Sequence, residues 1–103
     1  MLDVNEKNFM ETAKRPGVSV IYCWAPFCGT CKEFTPVFEE VASRFPDYSF
    51  AKLDTLAEQK LAYGLEVPQV PALMIFRDGK AVFCQSGTHS ESGLEEIFRN
   101  AGQ

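Results

Sequence analysis

A second Cys-x-x-Cys pair is missing from this sequence, and there is only one histidine. The remaining candidate ligands, Cys23, Cys84 and His89, are scattered along the chain, so a structural zinc site with four closely spaced ligands is not expected. Lys32 rather than histidine follows Cys31, which excludes covalent haem attachment of the Cys-x-x-Cys-His kind. Basic charge is also short. With 10 Lys and Arg against 14 Asp and Glu, the net charge is -4, and a nucleic-acid or anionic-membrane partner would need a basic face. The longest largely apolar run, Val18 to Cys28, is too short to span a bilayer and contains Pro26. The N-terminus has neither a positive start nor an apolar segment of the secretory kind. These shortages point to a soluble protein of a reducing compartment, the cytoplasm. There, four cysteines read as catalytic, metal-binding or buried rather than as a disulfide framework.

What is present fits one α/β domain over residues 1–103, with no repeat, linker or low-complexity segment. Asn5 is placed to cap a short helix, with Val4 and Phe9 as a hydrophobic staple, and Pro16-Gly17 ends it. Val18 to Trp24 is β-branched, aromatic and nearly all apolar, the pattern of a central strand buried on both faces. Phe34, Val37, Phe38, Val41, Ala42 and Phe45 then fall at helical spacing, which predicts one long helix from Cys28 to Phe45, kinked at Pro36. Tyr48 to Leu53 reads as the next strand, parallel to the first through a right-handed crossover. Thr55 and Glu58 have capping-box spacing for a helix ending at Gly64. Ala72 to Phe76, the Asp78-Gly79 turn and Lys80 to Gln85 form a hairpin, and Ser90 starts a last helix striped by Leu94, Ile97, Phe98 and Ala101.

The strand-to-helix junction carries Cys28 and Cys31. Cysteines at this spacing can close a disulfide across a first helical turn. Cys28 at the helix start meets unpaired backbone N–H groups and the positive end of the dipole, which favour thiolate, so it is the expected nucleophile. Cys31, one turn in, can attack a mixed disulfide on Cys28 and release the substrate. Gly29 leaves room for a partner chain. Two core cysteines lying close by chance is the bland alternative.

Trp24-Ala25-Pro26-Phe27-Cys28-Gly29-Thr30-Cys31-Lys32 resembles the active-site segment of the thioredoxin family, and the resemblance covers nearly the whole chain. Pro36, Phe50 to Asp54, Val70-Pro71, Asp78-Gly79 and Gly87 follow in the family's order. The resemblance implies a thioredoxin fold, a mixed central sheet of four to five strands with helices on both faces. It implies a thiol–disulfide oxidoreductase, of reductase type, exchanging the Cys28–Cys31 couple with protein disulfides. No metal or organic cofactor is implied, the electron donor is of the thioredoxin reductase type, and the protein is expected to be a monomer. It further implies that Pro71 is cis and faces the dithiol, and that the backbone of Val70 pairs with an extended substrate segment. Trp24, Phe27, Val70 and Pro71 would form an apolar rim around Cys28, joined by Pro26. Pro68 is a competing candidate for the cis bond, though Pro71 directly precedes the strand.

The sequence departs from the family pattern at four places. Thr30 stands where thioredoxins have proline; it adds an N–H and a hydroxyl near the sulfurs, which favours the dithiol form and a more oxidising couple. Tyr22 replaces a buried aspartate, removing the family's proton acceptor for the resolving cysteine, and tyrosine is a poor base near neutral pH. Lys52 thereby loses its usual partner and must shed its proton, reach solvent or find another carboxylate. Phe27 replaces a tryptophan, and the loop from Gly64 to Pro71 is longer than the family's. Cys23 and Cys84 are expected as inert strand thiols, with a regulatory or intermolecular disulfide as the sharper alternative, and His89 is expected to have no catalytic role. Two other functions stay open on these residues: a more oxidising oxidase or isomerase exchange, and a non-catalytic binding or redox-sensing module on the same scaffold.

Overall fold

The structure, a computed structural model, describes residues 1–103. Nine elements follow in order: β1 (Leu2–Asp3), α1 (Phe9–Ala13), β2 (Val18–Trp24), α2 (Gly29–Ala42), β3 (Ser49–Asp54), α3 (Gln59–Gly64), β4 (Ala72–Arg77), β5 (Lys80–Ser86) and α4 (Glu91–Ala101). The strands form one mixed sheet in the order β1-β3-β2-β4-β5. β3 is parallel to both β1 and β2, whereas β4 runs antiparallel to β2 and β5 antiparallel to β4. No helix is long and apolar enough to cross a membrane.

The all-apolar pattern of β2 has its cause in this topology. The strand lies in the middle of the sheet with a layer on each face, and every residue but Trp24 is buried. Alternation along β2 splits the core in two. Val18, Val20 and Tyr22 join Leu73 and Ile75 under Phe34, Phe38 and Val41 of α2 and Leu94 and Phe98 of α4. Ile21 and Cys23 face the other way, with Ala51, Leu53, Ala72 and Met74, and this side also takes in Val4 and Ala13. Phe38 is the hub of the first layer. Its ring stacks on Tyr22 at 4.8 Å and meets Phe50 and Phe98 edge-on at 5.8 and 6.2 Å.

The hairpin between β4 and β5 turns at Asp78 and Gly79, both with positive φ (50° and 86°), the backbone of a two-residue turn that matches strand twist. Asp78 also anchors the turn after α1. Its Oδ1 accepts the Gly17 N–H at 2.7 Å, and its own N–H donates to the Gly17 carbonyl at 2.9 Å.

Helix ends depart from the sequence expectations in three places. α2 stops at Ala42 rather than Phe45, because Pro46 disfavours helical backbone at the residue before it; Phe45 nevertheless packs on Phe98 at 5.4 Å. Regular helix in α1 begins only at Phe9, with Asn8 as its N-cap. The Asn5 Oδ1 accepts the N–H groups of Lys7 and Asn8, so it closes the preceding turn instead. The Thr55–Glu58 capping box does not form. Thr55 donates its hydroxyl to the Trp24 carbonyl at 3.0 Å, and Asp54 accepts the amides of Leu56 and Ala57. α3 does end at Gly64 as expected, and Glu66 takes the left-handed conformation just beyond it. The Ser90 cap on α4 does form, its hydroxyl accepting the Gly93 N–H at 3.1 Å.

Three outcomes follow for stability. Phe98, fully buried, touches four other aromatic rings, so Phe98→Ala is expected to cost about 3–5 kcal/mol in urea denaturation. Arg44→Ala, which removes only solvent-exposed pairs to Glu40, Glu91 and Glu95, should shift the midpoint far less. His89 packs on Phe34 with its Nε2 buried and unpartnered, and burial holds its pKa below the usual 6.5. The unfolded chain therefore takes up the proton first as pH falls. This contribution to stability is complete above pH 6.5 and declines as pH drops through 6.5 toward the folded-state value. His89→Gln is expected to flatten the stability–pH curve in that window, as measured by denaturation at a series of pH values.

Candidate functional site

β2 delivers the chain to the middle of one end of the sheet, and α2 starts there. Between them, the Cys28 N–H donates to the Ala25 carbonyl at 3.1 Å. Cys28 is the N-cap of α2, in extended backbone, and its Sγ accepts the Cys31 N–H at 3.2 Å. The sulfur thus takes the capping role usually given to a serine or aspartate oxygen. Cys28 and Cys31 are joined by a disulfide, with Cα atoms 5.2 Å apart. Their exposure differs: Cys28 is half-buried, while Cys31 is 1% exposed beneath it. Only one sulfur of the pair is open to an incoming group.

Around Cys28 the chain gathers three segments distant in sequence. The Val70 carbonyl oxygen is 3.8 Å from the Cys28 Sγ, and the Val70–Pro71 bond is cis. Val70 is half-buried and Pro71 buried, held by the Gly87 N–H donating to its carbonyl at 2.8 Å. Gly87 takes φ of 109°, a conformation that favours glycine. The Thr30 Oγ1 lies 3.4 Å from the Cys28 Sγ, and Thr30, Val70, Pro71 and Gly87 share the wall of a shallow depression of 310 Å³. Phe27 is 76% exposed, so this aromatic belongs to the surface rather than the core. Gly29 faces open space, with nothing within 4 Å of where a Cβ would stand. Trp24 is half-buried and shares a pocket wall with Cys31. It lines a second pocket, of 290 Å³, whose wall also includes Pro26, Cys31 and Thr35.

Beneath the disulfide, Tyr22 is 1% exposed. Its hydroxyl is 3.0 Å from the Thr35 Oγ1 and 3.3 Å from the Cys31 carbonyl, to which Thr35 donates at 2.7 Å. Burial raises the Tyr22 pKa, its largest cause, so the phenol keeps its proton and acts as a donor. Lys52 does not find a carboxylate: it makes no ion pair, and its Nζ lies over the Trp24 ring, 5.9 Å from the centroid. The face of an aromatic ring thus stands where a counter-ion would be. Cys23 is buried, and desolvation together with the charge of Cys84 pushes its thiol up to about 12, which makes it inert as a nucleophile. Cys84 is exposed, and neither of these cysteines is in a disulfide. No group of three or more His, Cys, Asp or Glu is arranged to hold a metal ion.

Thr35 is the residue that sequence reasoning passed over. Its signal was its place one helical turn after Cys31, where a threonine hydroxyl reaches back to the carbonyl four residues earlier.

Comparison with known proteins agrees with this geometry. The family model described as Thioredoxin matches residues 1–100. The chain is 37% identical over 100 residues to "Putative thioredoxin 2" of Streptomyces coelicolor, covering 97% of this chain and 75% of that protein. It is 33% identical over 99 residues to "Thioredoxin" of Staphylococcus haemolyticus, covering 95% and 94% respectively. Among solved structures, a single-site mutant of a thioredoxin from Halobacterium salinarum NRC-1 superimposes with a TM-score of 0.88 at 28% identity, over 99% of this chain and 90% of that one.

The contact between Thr30 and Cys28 bears on the couple directly. A hydroxyl able to donate to the Cys28 sulfur stabilises its thiolate and hence the reduced form. Equilibrated with glutathione, the protein is expected to be more oxidising than the about -270 mV of thioredoxin. Thr30→Pro is expected to move the potential back toward that value. A wild-type potential at or below it would show that Thr30 does not tune the couple.

Proposed function

The chain belongs to the thioredoxin family, and we propose on that premise that Cys28 is its nucleophile and Cys31 its resolving thiol. The protein is a thiol–disulfide oxidoreductase of the reductase type. The observation that carries the assignment of roles is the asymmetry of the pair: Cys28 is accessible at the positive end of a 14-residue helix, and Cys31 is enclosed behind it. A thiolate on Cys28 attacks one sulfur of a substrate disulfide and expels the other as a thiol. Cys31 then attacks Cys28, breaks the mixed disulfide, forms the Cys28–Cys31 bond and releases the second substrate thiol.

The substrate is a protein segment in extended conformation. Supporting this, the amide of Val70 makes no hydrogen bond within the chain, and its carbonyl stands beside the nucleophile. Val70 can therefore pair with a passing backbone without reading its sequence. Phe27, Pro71 and the open surface over Gly29 supply apolar contact and clearance, while Thr30 tunes the outer sulfur. Trp24, Tyr22 and Lys52 act from beneath, setting the surroundings of Cys31.

A reductase of the thioredoxin reductase type would return the disulfide to the dithiol. The working unit is a single domain over residues 1–103, a monomer of the cytoplasm. Two unpaired cysteines, one of them exposed, suit a reducing compartment. An oxidase or isomerase role and a non-catalytic binding module are less well supported, since the accessible and resolving thiols are both present in working geometry.

The test is reduction of insulin disulfides coupled to a thioredoxin reductase and NADPH. Wild-type protein is expected to turn over and Cys28→Ser to lose activity entirely. Cys31→Ser is expected to retain the attack but to accumulate as a mixed disulfide visible on non-reducing gels. Turnover by Cys28→Ser, or none by the wild type, would overturn the assignment.

A further inference from the structure

The resolving step needs a proton acceptor that the interior does not hold. Resting as a thiol, Cys31 must lose a proton before it can attack, and at 1% exposure it cannot do so at the outer surface. Each titratable group near it is unsuited. From β2, Tyr22 keeps its proton and faces the Cys31 carbonyl and the Thr35 hydroxyl, not a free lone pair. From β3, Lys52 lies over the Trp24 ring, and Asp54, whose Oδ1 accepts the amides of Leu56 and Ala57, is not in the wall of the pocket beside Cys31. On α2, Lys32 is an ammonium without an acceptor lone pair, and Glu39 is exposed two turns beyond Cys31. From the β5–α4 loop, His89 is directed at Phe34. β4 presents Leu73 and Ile75 to this layer, and its one charged residue on that face, Arg77, pairs with Val18 at the opposite end of β2 from the disulfide.

What Cys31 does have is the 290 Å³ pocket at its side. Buried Ala25 and Cys31 form its floor, while exposed Pro26, Lys32 and Pro36 form its mouth. It is wide enough to admit water from bulk solvent. Thr35 is in its wall, and a hydroxyl has one donor and two acceptor sites. Its donor is used on the Cys31 carbonyl at 2.7 Å, and one acceptor is used by the Tyr22 hydroxyl at 3.0 Å. The second acceptor is free. A water that donates to it keeps its own lone pairs available to the neighbouring thiol.

Resting on the oxidoreductase reading above, we propose that Cys31 passes its proton to solvent water in this pocket, held by Thr35 as a positioning residue, and to no side-chain base. In the resolving step the water takes the proton and hands it to bulk buffer. The Cys31 thiolate then attacks the Cys28 sulfur, the mixed disulfide breaks, and the departing substrate thiolate is protonated by solvent. When a reductant opens the Cys28–Cys31 bond, Cys31 leaves as thiolate and regains its proton by the same route. Tyr22 acts one step further back, since its hydroxyl occupies the acceptor of Thr35 that points inward and leaves the outward one for water.

The step can be isolated by loading Cys28 with thionitrobenzoate at low pH and following its release after a jump to a series of higher pH values. In the wild type the rate below the ionisation of Cys31 is expected to rise with added imidazole, which can collect the proton from pocket water. Thr35→Val is expected to slow release about fivefold in that range and to match the wild type at the alkaline limit, where Cys31 is already ionised. Thr35→Ser is expected to restore the rate. Release that ignores imidazole in the wild type would indicate an internal base and overturn the proposal. So would a Thr35→Val deficit that persists at the alkaline limit, which would make the hydroxyl merely structural. Failure to release thionitrobenzoate even at the alkaline limit would instead refute the assignment of Cys31 as resolving thiol.

Discussion

The site depends on one hydrogen bond, from the backbone N–H of Cys31 to the sulfur of Cys28. A helix needs an acceptor for its first free amides, and here the acceptor is the sulfur proposed to do the chemistry. The consequence is that folding and reactivity are coupled through a single atom. A thiolate is a better acceptor than a thiol or a disulfide sulfur, so the same contact that starts α2 also favours ionisation of Cys28. Everything that fixes the first turn of α2 therefore tunes the thiol. That includes the stripe of Phe34, Phe38 and Val41, which holds the helix on the sheet, and the Cys28 N–H donating to Ala25, which sets its entry angle.

The interior under that turn is unusual in being almost free of charge. Tyr22 fills the volume with a ring stacked on Phe38 and spends its one polar atom on the α2 backbone and Thr35. Lys52 settles over Trp24, where a ring quadrupole replaces a counter-ion. These two accommodations go together. With no carboxylate within ion-pair distance of its Nζ, the lysine would be left unpaired unless its flexible stem carried the ammonium to an aromatic face or to water. The remaining polar loose ends are small: the Trp24 Nε1, the Ser19 hydroxyl and the His89 Nε2 are buried without partners.

Much of this was legible in the sequence, for physical reasons that can be assigned residue by residue. Val18 to Trp24 announced a two-sided strand because the whole fold is layered on it, and Asp78-Gly79 announced its turn because few other pairs tolerate two positive φ values in succession. The stripe of α2 was readable because its partners lie all along one side. The capping signals were less reliable. Thr55 and Asn5 have the right chemistry at the right spacing, yet each found a competing amide or carbonyl: the Trp24 carbonyl for Thr55, the amides of Lys7 and Asn8 for Asn5. A short polar side chain has several partners within reach, and only the fold selects among them. Lys52 and Thr35 were hidden for the same reason. Whether Lys52 meets a carboxylate, a ring or water depends on where the Trp24 side chain goes, and the two acceptor sites of Thr35 have meaning only once Tyr22 and the pocket are in place.

The departures above and below the disulfide act on different quantities. Thr30 touches the outer sulfur, whose charge changes between the oxidised and reduced states, so it shifts the equilibrium of the couple. Tyr22 and Thr35 touch the carbonyl of Cys31 and the pocket beside its sulfur, and neither carries a charge that differs between the two redox states. Their effect falls on how fast the inner thiol can shed or regain a proton, not on which redox state is favoured. A buried carboxylate in place of Tyr22 would join the two properties, because its own ionisation would respond to the charge on either sulfur and feed back on the potential. With a phenol there instead, and on the roles proposed for Cys28, Cys31 and the pocket water, the thermodynamics of the couple would be set at the surface, by Thr30 and the helix N-terminus, and the rate of resolution in the interior, by access of water.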